Sequence, residues 1–252
     1  MRILMVSDVY FPRINGVSTS IESFRHALAE QDIEVQVVAP AYPAPHVDDA
    51  RITRVPARRV PFDPEDRLMQ GQPLRLALAS HAQFDLVHIQ TPFAAHYAGL
   101  RHARARRRPC IATYHTHFEE YLHNYVPAVP QAALRALARN LARRQCNTLD
   151  AVVVPSSAMQ DTLAGYGVTA PLHRVPTGIP VDHFGAECRP ASADFRRRFG
   201  IPADAAVALF VGRAAHEKNI GFLLDALPHA LRDTPNLILI VAGEGPALQA
   251  LQ

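Results

Sequence analysis

A regular alternation of short apolar runs with longer stretches of helical periodicity constrains the fold of this chain more than any other feature. The short runs are rich in Val, Ile, Leu and Ala and lack a polar face, which is typical of parallel strands buried on both sides. Parallel strands need crossover connections, and the helical stretches between the runs supply them. The sequence therefore predicts an α/β fold built on doubly wound parallel sheets.

The alternation falls into two blocks. In the first block we predict strands at residues 2–7, 34–39, 86–89, 110–114 and 151–154, and helices at 17–30, 92–107, 130–145 and 156–166. A stretch rich in Pro, Gly and charged residues follows residue 176 and extends through Gly185 and Pro190, which is typical of a linker. The second block has predicted strands at 206–211 and 237–242, a helix at 219–232 and the beginning of a helix at 246–252.

These blocks predict two domains, residues 1–184 and residues 185–252. The second is shorter than the roughly 100 to 150 residues usual for a domain. A sheet of two strands would also leave an open edge and an uncovered apolar face. We therefore expect the second domain to be incomplete and the sequence to be a fragment or a truncated product.

Composition excludes several classes of protein. No apolar run reaches the roughly 18 residues that span a bilayer, and the apolar start is too short for a signal peptide, so we expect a cytoplasmic protein. The net charge of +3 is too small to indicate a nucleic-acid partner. Three widely spaced cysteines, Cys110, Cys146 and Cys188, fit reduced thiols better than a disulfide framework or a zinc site.

Lysine occurs once among the 26 basic residues, as Lys218. Lysine carries a compact ammonium, whereas arginine carries a planar fork, so a lysine in this arginine-rich sequence indicates a site that needs a point charge, such as a phosphate site. The alternative is that the single lysine has no special role. Arg213 follows a predicted strand and Lys218 precedes the next helix, so the two can converge on one diphosphate. The turn at Gly243 and Glu244 is open enough for a nucleoside, although either turn can be purely structural.

The connection between the first strand and the first helix contains Asn15 and Gly16. Ligands bind at this place in doubly wound sheets, because the helix N-terminus offers free N–H groups and a positive dipole end to an anion. Gly16 would let a phosphate approach the backbone. Neither GxGxxG nor a P-loop motif occurs, which disfavours both a dinucleotide site of the Rossmann type and a P-loop phosphate site. An ordinary Asn-Gly turn is the alternative.

Tyr114, His115 and His117 follow another predicted strand. Strand ends in this type of sheet present their side chains to the same crevice, so His115 is placed to contact a sugar or to transfer a proton. A structural, hydrogen-bonded histidine is the alternative. We do not predict a metal site, because no third ligand stands at a recognisable spacing from the two histidines.

The predicted helix at 130–145 is basic and amphipathic. Three leucines fall on one face and three arginines recur every fourth residue on another: Leu134, Leu137, Leu141, Arg135, Arg139 and Arg143. Nine arginines oppose only two glutamates between residues 99 and 147. This pattern is typical of a helix on an anionic membrane surface, or alternatively of a helix that packs on the core with a solvated arginine face.

Six segments, in order, resemble those of the retaining glycosyltransferases of family 4, which have the GT-B fold. They are FPRINGVSTSIESF at 11–24, TYHTHFEEY at 113–121, VPSSAMQDTL at 154–163, VPTGIPVDHF at 175–184, FVGRAAHEKN at 210–219 and VAGEGP at 241–246. The resemblance covers essentially the whole chain. It implies two Rossmann-like domains, an acceptor-side domain at 1–184 and a partial nucleotide-sugar-binding domain at 185–252.

The resemblance also implies an activity. A hexose would move from a donor such as UDP-glucose or GDP-mannose to a lipid or glycan acceptor, with retention of configuration and without a metal or other cofactor. Similar enzymes glycosylate lipids such as diacylglycerol, which implies a peripheral position on the inner face of a membrane. The implied roles are donor binding for Gly16, Arg213, Lys218, Gly243 and Glu244, catalysis for His115, and the acceptor side for Asn15, Tyr114 and His117. Cationic residues on the diphosphate would stabilise the charge that develops on the leaving nucleotide.

One departure from the family pattern limits this expectation. The second domain of the family continues to an E-x7-E element that holds the donor, and residues 185–252 contain no such element. We therefore expect weak donor binding and slow or absent turnover. Two alternatives stay open: a nucleotide-sugar epimerase of the same fold, which would need its own acid and base carboxylates, and a non-catalytic module that binds anions or glycans.

Overall fold

The computed structural model describes residues 1–43, 49–60, 63–115, 130–179, 181, 191–215, 218–245 and 247–251. The chain forms two compact units, Met1–Ile179 (unit 1) and Pro180–Gln252 (unit 2). The predicted helix-strand alternation is present in both units.

Unit 1 has nine strands and five helices among the described residues. In chain order they are β1 (Arg2–Val6), α1 (Gly16–Ala29), β2 (Glu34–Pro40), β3 (Ile52–Val55), β4 (Ala57–Val60), β5 (Asp63–Met69), α2 (Gly71–Ser80), β6 (Leu86–Ile89), α3 (Ala94–Arg106), β7 (Cys110–Thr113), α4 (Gln131–Cys146), β8 (Ala151–Val154), α5 (Ser157–Gly165) and β9 (Leu172–Arg174).

Seven of these strands form one parallel sheet in the order β3-β2-β1-β6-β7-β8-β9. The order of strands reverses between β1 and β6. At such a reversal the crossover helices leave in opposite directions, which opens a crevice outside the carboxyl ends of the two strands. Strands β4 and β5 form a separate antiparallel hairpin.

The seven-stranded sheet is buried on both faces. Leu4 and Val6 of β1 belong to one core cluster, whereas Ile3 and Met5 belong to the other. Successive side chains of a strand point to opposite faces, so these two clusters lie on the two sides of the sheet. This arrangement explains why the strand sequences are apolar throughout and do not alternate with polar residues.

Unit 2 contains α6 (Ala191–Arg198), β10 (Ala206–Val211), α7 (Ile220–Asp233), β11 (Leu237–Ala242) and α8 (Leu248–Leu251). Strands β10 and β11 are parallel partners in register from Ala206 with Leu237 to Val211 with Ala242. Much of their apolar surface is exposed, including 60% of Leu209 and 72% of Val211.

The predicted fold class is confirmed, and every strand predicted from the apolar runs is present. Six elements were not predicted: β3, β4, β5, β9, α2 and α6. The hairpin strands carry Arg-Arg and Asp-Pro-Glu-Asp sequences, so they lack the apolar signal of the buried strands. β9 has only three residues, of which the last two are His and Arg, and it lies at the edge of the sheet.

Candidate functional site

The segments that follow β1 and β7, two strands of the same parallel sheet, carry four of the unit 1 residues predicted to be functional: Asn15, Gly16, Tyr114 and His115. The loop after β1 leads into α1, where Asn15 is the N-cap and its side-chain oxygen accepts a hydrogen bond from the backbone N–H of Ser18 at 2.8 Å. Gly16 is the first residue of the helix, and a Cβ atom added there would meet no atom within 4 Å. The space beside Gly16 is therefore open, while the side chain of Asn15 has a capping role that was not predicted.

A buried polar cluster holds the loop after β1. Arg54 donates to the carbonyl oxygen of Phe11 at 2.7 Å, and its guanidinium lies 5.4 Å from the ring centre of Tyr10. The hydroxyl of Tyr10 is hydrogen-bonded to Glu22 and accepts a hydrogen bond from Arg25 at 2.9 Å. These contacts join residues far apart in sequence and fix the start of α1.

Asp8 connects the loop after β1 to α3. Its carboxylate accepts hydrogen bonds from the Thr91 hydroxyl at 2.7 Å and from the backbone N–H of Ala95 at 3.1 Å. Burial raises the pKa of Asp8 to about 6, against the opposing effect of Thr91 and of the backbone N–H groups at the start of α3. The Asp8 carboxylate therefore caps the N-terminus of α3 through these hydrogen bonds.

His115 lies at the carboxyl end of β7, beside the residue that follows β6. Its Nε2 is 2.9 Å from Oε1 of Gln90. Burial lowers the pKa of His115 to about 4, so the ring is neutral at pH 7. Gln90 was not predicted, although the sequence contained a signal: it directly follows a strand that neighbours the strand before His115.

A second histidine lies within the same part of the sheet. Nε2 of His88 is 2.7 Å from the hydroxyl oxygen of Thr113, across the pairing of β6 with β7. Burial, together with His115, lowers the pKa of His88 to about 3. His88 is therefore a neutral core histidine with a structural hydrogen bond.

A cavity of about 50 Å³ lies next to these groups. Tyr114 and His115, both half-buried, line it together with Gln90, Thr91 and His96. The polar side chains Thr113 and Gln145 and a set of mainly apolar side chains form the rest of its wall. The cavity has room for one or two water molecules or a small polar group of a ligand. His117, which was also predicted at this site, lies outside the described residues.

The predicted donor residues of unit 2 occupy two neighbouring loops. Arg213, half-buried, and Lys218, exposed, lie between β10 and α7. Gly243 and Glu244 follow β11 and are exposed. The carbonyl oxygen of Glu244 accepts a hydrogen bond from the backbone N–H of Ala214 at 2.9 Å, which ties the two loops together.

Gly243 has a packing reason to be glycine. A Cβ atom at this position would lie 1.8 Å from the carbonyl oxygen of Gly212, closer than any side chain permits. The close approach keeps the backbones of the two loops in contact at the carboxyl ends of β10 and β11. Gly243 therefore shapes the loop that carries Arg213, in addition to any direct contact with a ligand.

Helix α4 carries the predicted membrane-surface arginines, and Arg135, Arg139 and Arg143 are all exposed. They line an open groove of about 670 Å³, in which the Arg139 guanidinium lies 5.5 Å from the ring centre of Tyr166. The three leucines of α4 differ from one another in how far they are buried.

Leu134 is buried, whereas Leu137 and Leu141 are 60% and 44% exposed. The core side of α4 is formed by Leu134 with Ala138, Ala142, Gln145 and Cys146. Helix α4 therefore packs on the core with a solvated arginine face, as in the core-packing alternative, although only Leu134 of the three leucines is buried because the small alanines form the rest of the core side.

Several further properties follow from the described part of the chain. Every helix there falls short of a bilayer-spanning segment in length or in apolar character. The same residues contain no cluster of three His, Cys, Asp or Glu side chains that could hold a metal ion. Cys110 and Cys146 are free thiols, and burial raises their pKa to about 12 and about 11, which suppresses the reactive thiolate.

Solved structures show the fold of the chain. The pneumococcal O-GlcNAc transferase in complex with UDP and GlcNAc superimposes with a TM-score of 0.65, covering 100% of this chain and 72% of its own at 10% identity. The catalytic domain of Starch Synthase IV from Arabidopsis thaliana gives a TM-score of 0.63, covering 97% of this chain and 68% of its own at 10% identity. The chain has the GT-B fold of these transferases.

Sequence comparison defines the family. The Glycosyltransferase Family 4 model matches residues 14–183, and the Glycosyl transferases group 1 model matches residues 192–252. The chain belongs to glycosyltransferase family 4.

Two curated relatives illustrate the similarity. An alpha-monoglucosyldiacylglycerol synthase of Streptococcus pneumoniae is 32% identical over 100% of this chain and 58% of its own length. A GDP-mannose-dependent alpha-mannosyltransferase of Mycolicibacterium smegmatis is 29% identical over 97% of this chain and 64% of its own length. The chain therefore spans less than two thirds of the length of these relatives.

Proposed function

We propose that the protein is a hexosyltransferase that moves a sugar from a nucleotide-sugar to a membrane lipid with retention of configuration. The observation that carries this proposal is the match of two glycosyltransferase models to successive stretches of the chain, residues 14–183 and 192–252. The names of the similar enzymes support a glucosyl or mannosyl donor and a lipid acceptor.

The donor diphosphate binds the loop that carries Arg213 and Lys218. A guanidinium fork and an ammonium point charge together neutralise the phosphates, and they bind more strongly as negative charge develops on the leaving nucleotide. Gly243 and Glu244 lie on the neighbouring loop and contact the nucleoside. In unit 1, the N-terminus of α1, where Gly16 leaves open space, is a separate candidate place for a phosphate oxygen.

His115 acts as a neutral hydrogen-bonding group beside the reacting sugar. Its low pKa supports this role, because an imidazolium would repel the positive charge that develops on the sugar during transfer. Asn15, Tyr114 and His117 form the acceptor side. The reaction needs no metal, since the cationic side chains provide the charge that a metal ion would supply.

The acceptor is a lipid at the inner face of a membrane. Exposed Leu137 and Leu141 alternate along α4 with the three arginines, and this combination supports binding to an anionic surface. Each arginine near such a surface contributes about 1 kcal/mol. Replacing Arg135, Arg139 and Arg143 together by Gln is expected to weaken flotation with phosphatidylglycerol vesicles by about 100-fold, whereas Arg101→Gln, on α3, is the matched control.

A transfer assay tests the proposed function. The protein is incubated with radiolabelled UDP-glucose or GDP-mannose and vesicles that contain diacylglycerol, with or without EDTA, and the lipid fraction is counted. We expect slow formation of labelled lipid with one of the donors, an α-linkage in the product by NMR, and no effect of EDTA. Isomerised donor without labelled lipid would instead identify an epimerase, and donor binding without either product would identify a binding module.

A further inference from the structure

The side chain of Gln90 has an arrangement that the proposed function does not explain. Gln90 is 1% exposed, and its Oε1 contacts Nε2 of His115 at 2.9 Å. Its own Nε2 has no hydrogen-bond partner among the described residues, and the residue lines the cavity beside His115. Buried amide groups without a partner are rare in proteins, so this N–H group marks a place where a ligand atom or a water molecule binds.

The contact between the two side chains determines which ring nitrogen of His115 carries the proton. An amide oxygen can only accept a hydrogen bond, so Nε2 of His115 must donate. A neutral imidazole has a single N–H group, and Nδ1 of His115 therefore keeps its lone pair.

We propose that Gln90 is a positioning residue that holds His115 in its Nε2–H tautomer, leaving Nδ1 to accept a hydrogen bond from a substrate hydroxyl group. The amide N–H groups of Gln90 donate to an oxygen atom in the cavity. The substrate hydroxyl in this proposal rests on the proposed function, whereas the tautomer is a property of the protein alone.

The groups around His115 fit a ring that stays neutral. His88 of β6 and His96 of α3 are also buried, and burial lowers the pKa of both, to about 3 and about 4. The carboxylate of Asp8 is directed to Thr91 and to the start of α3. Among the described residues that line the cavity, none is an acid.

The choice of an amide at position 90 has a chemical consequence. A carboxylate at the same distance from Nε2 would favour the imidazolium and raise the pKa of His115. Nδ1 would then carry a proton and could no longer accept a hydrogen bond. Glutamine supplies the same acceptor oxygen without this charge. It therefore fixes the tautomer of His115 and leaves the lone pair on Nδ1 free to accept a hydrogen bond.

Nitrogen-15 NMR of the histidine rings tests the proposal on the whole chain. The signals of His115 are assigned as those that disappear in His115→Gln. In the unaltered protein we expect a protonated Nε2 and an unprotonated Nδ1 for this ring at pH 7. Gln90→Leu is expected to give a mixture of tautomers, and Gln90→Glu is expected to raise the pKa of His115 by about one unit or more.

Gln145→Leu is the matched control. Gln145 is a second buried glutamine that lines the same cavity. Its Nε2 donates to the carbonyl oxygen of Pro92, and among the described residues it forms no hydrogen bond with His115. This variant should leave the His115 signals unchanged. Circular dichroism establishes that each variant is folded. If Gln90→Leu does not fold, the pKa change in Gln90→Glu and the tautomer of the unaltered protein still decide the question.

Four results would overturn the proposal. They are a protonated Nδ1 in the unaltered protein, an unchanged tautomer in folded Gln90→Leu, the same change in Gln145→Leu, and an unchanged pKa of His115 in Gln90→Glu. These readouts do not require catalysis. A protein that has the expected tautomer but transfers no sugar would contradict the proposed function and leave the positioning role of Gln90 in place.

Discussion

Units 1 and 2 are built from the same helix-strand alternation, yet they bury their strands to different degrees. In unit 1, seven parallel strands have apolar clusters on both faces. In unit 2, two parallel strands leave Leu209 and Val211 largely exposed. The local pattern of the sequence therefore specifies a strand, while the number of neighbouring strands and helices determines how much of its surface is buried.

The two units also support their candidate functional loops in different ways. Every buried polar or charged side chain among the described residues lies in unit 1, where such groups hold the loops after β1 and β6. In unit 2, the loops after β10 and β11 are held by backbone contacts at Gly212, Gly243 and Ala214. Side-chain hydrogen bonds fix the candidate site residues of unit 1. In unit 2, Arg213 and Lys218 lie on a loop whose backbone is held by close packing against Gly243.

The largest expected effect concerns core packing. Leu74 of α2 is 1% exposed and belongs to the larger core cluster, whereas Leu209 of β10 is 60% exposed. Leu74→Ala should lower the free energy of unfolding by about 3 kcal/mol, because it leaves a cavity in a packed core. Leu209→Ala should cost less than about 1 kcal/mol. Urea unfolding followed by circular dichroism compares the two, and equal losses would contradict the difference in burial.

A smaller effect is expected from added methyl groups at two glycines. Gly243→Ala should destabilise unit 2 by about 2 kcal/mol, because the new Cβ collides with the carbonyl oxygen of Gly212. Gly16→Ala meets open space and should leave stability unchanged or slightly raised, since alanine favours a helix. Hydrogen exchange of the backbone amides in β10 and β11 measures the first effect. Unchanged exchange in Gly243→Ala would show that the loops are not in contact.

The buried histidines predict a loss of stability in acid. In the folded chain the pKa is about 3 for His88 and about 4 for His96 and His115, below the usual 6.5. The unfolded chain therefore binds more protons as the pH falls from about 6.5 to 4, and the folded state loses stability over that window. Asp8 acts in the opposite direction, because its pKa is raised from 3.8 to about 6 and its proton stabilises the folded state.

Three histidines outweigh one carboxyl group, so the net slope corresponds to about two protons, or about 3 kcal/mol per pH unit at its steepest. Thermal unfolding at pH 7, 6 and 5 measures this slope. His88→Leu should reduce it by about half, because two histidines then oppose the one carboxyl group, whatever the variant does to stability at pH 7. A slope that is the same in His88→Leu would place the proton uptake elsewhere.

The sequence predicted the fold class and five of the seven strands of the main sheet, because buried parallel strands have a strong apolar signal, but it missed β3 and β9 at the two edges. It did not predict the β4-β5 hairpin, whose charged residues resemble a loop. Helix α4 was predicted, but the exposure of Leu137 and Leu141 depends on which neighbours cover the helix, and the helical period does not contain that information.

The site was predicted in outline and not in its contacts. His115 and Gly16 could be placed at strand and helix ends from the sequence alone, and the structure locates both there. The contact of His115 with Gln90 depends on the order of strands in the sheet, which joins residues 25 positions apart. The packing requirement at Gly243 likewise depends on the approach of two backbones.

The central claim, that a nucleotide-sugar donor binds through its diphosphate to the loop that carries Lys218, has a direct test because the chain contains a single lysine. Acetylation of Lys218 is followed by mass spectrometry in the presence of UDP or GDP, with uridine and guanosine as controls that lack the diphosphate. The α-amino group of Met1 is the internal reference, and Arg213→Ala is the variant. We predict that UDP or GDP slows acetylation of Lys218 but not of Met1, that the nucleosides have no effect, and that Arg213→Ala weakens the protection. Equal acetylation of Lys218 with every ligand would contradict the claim.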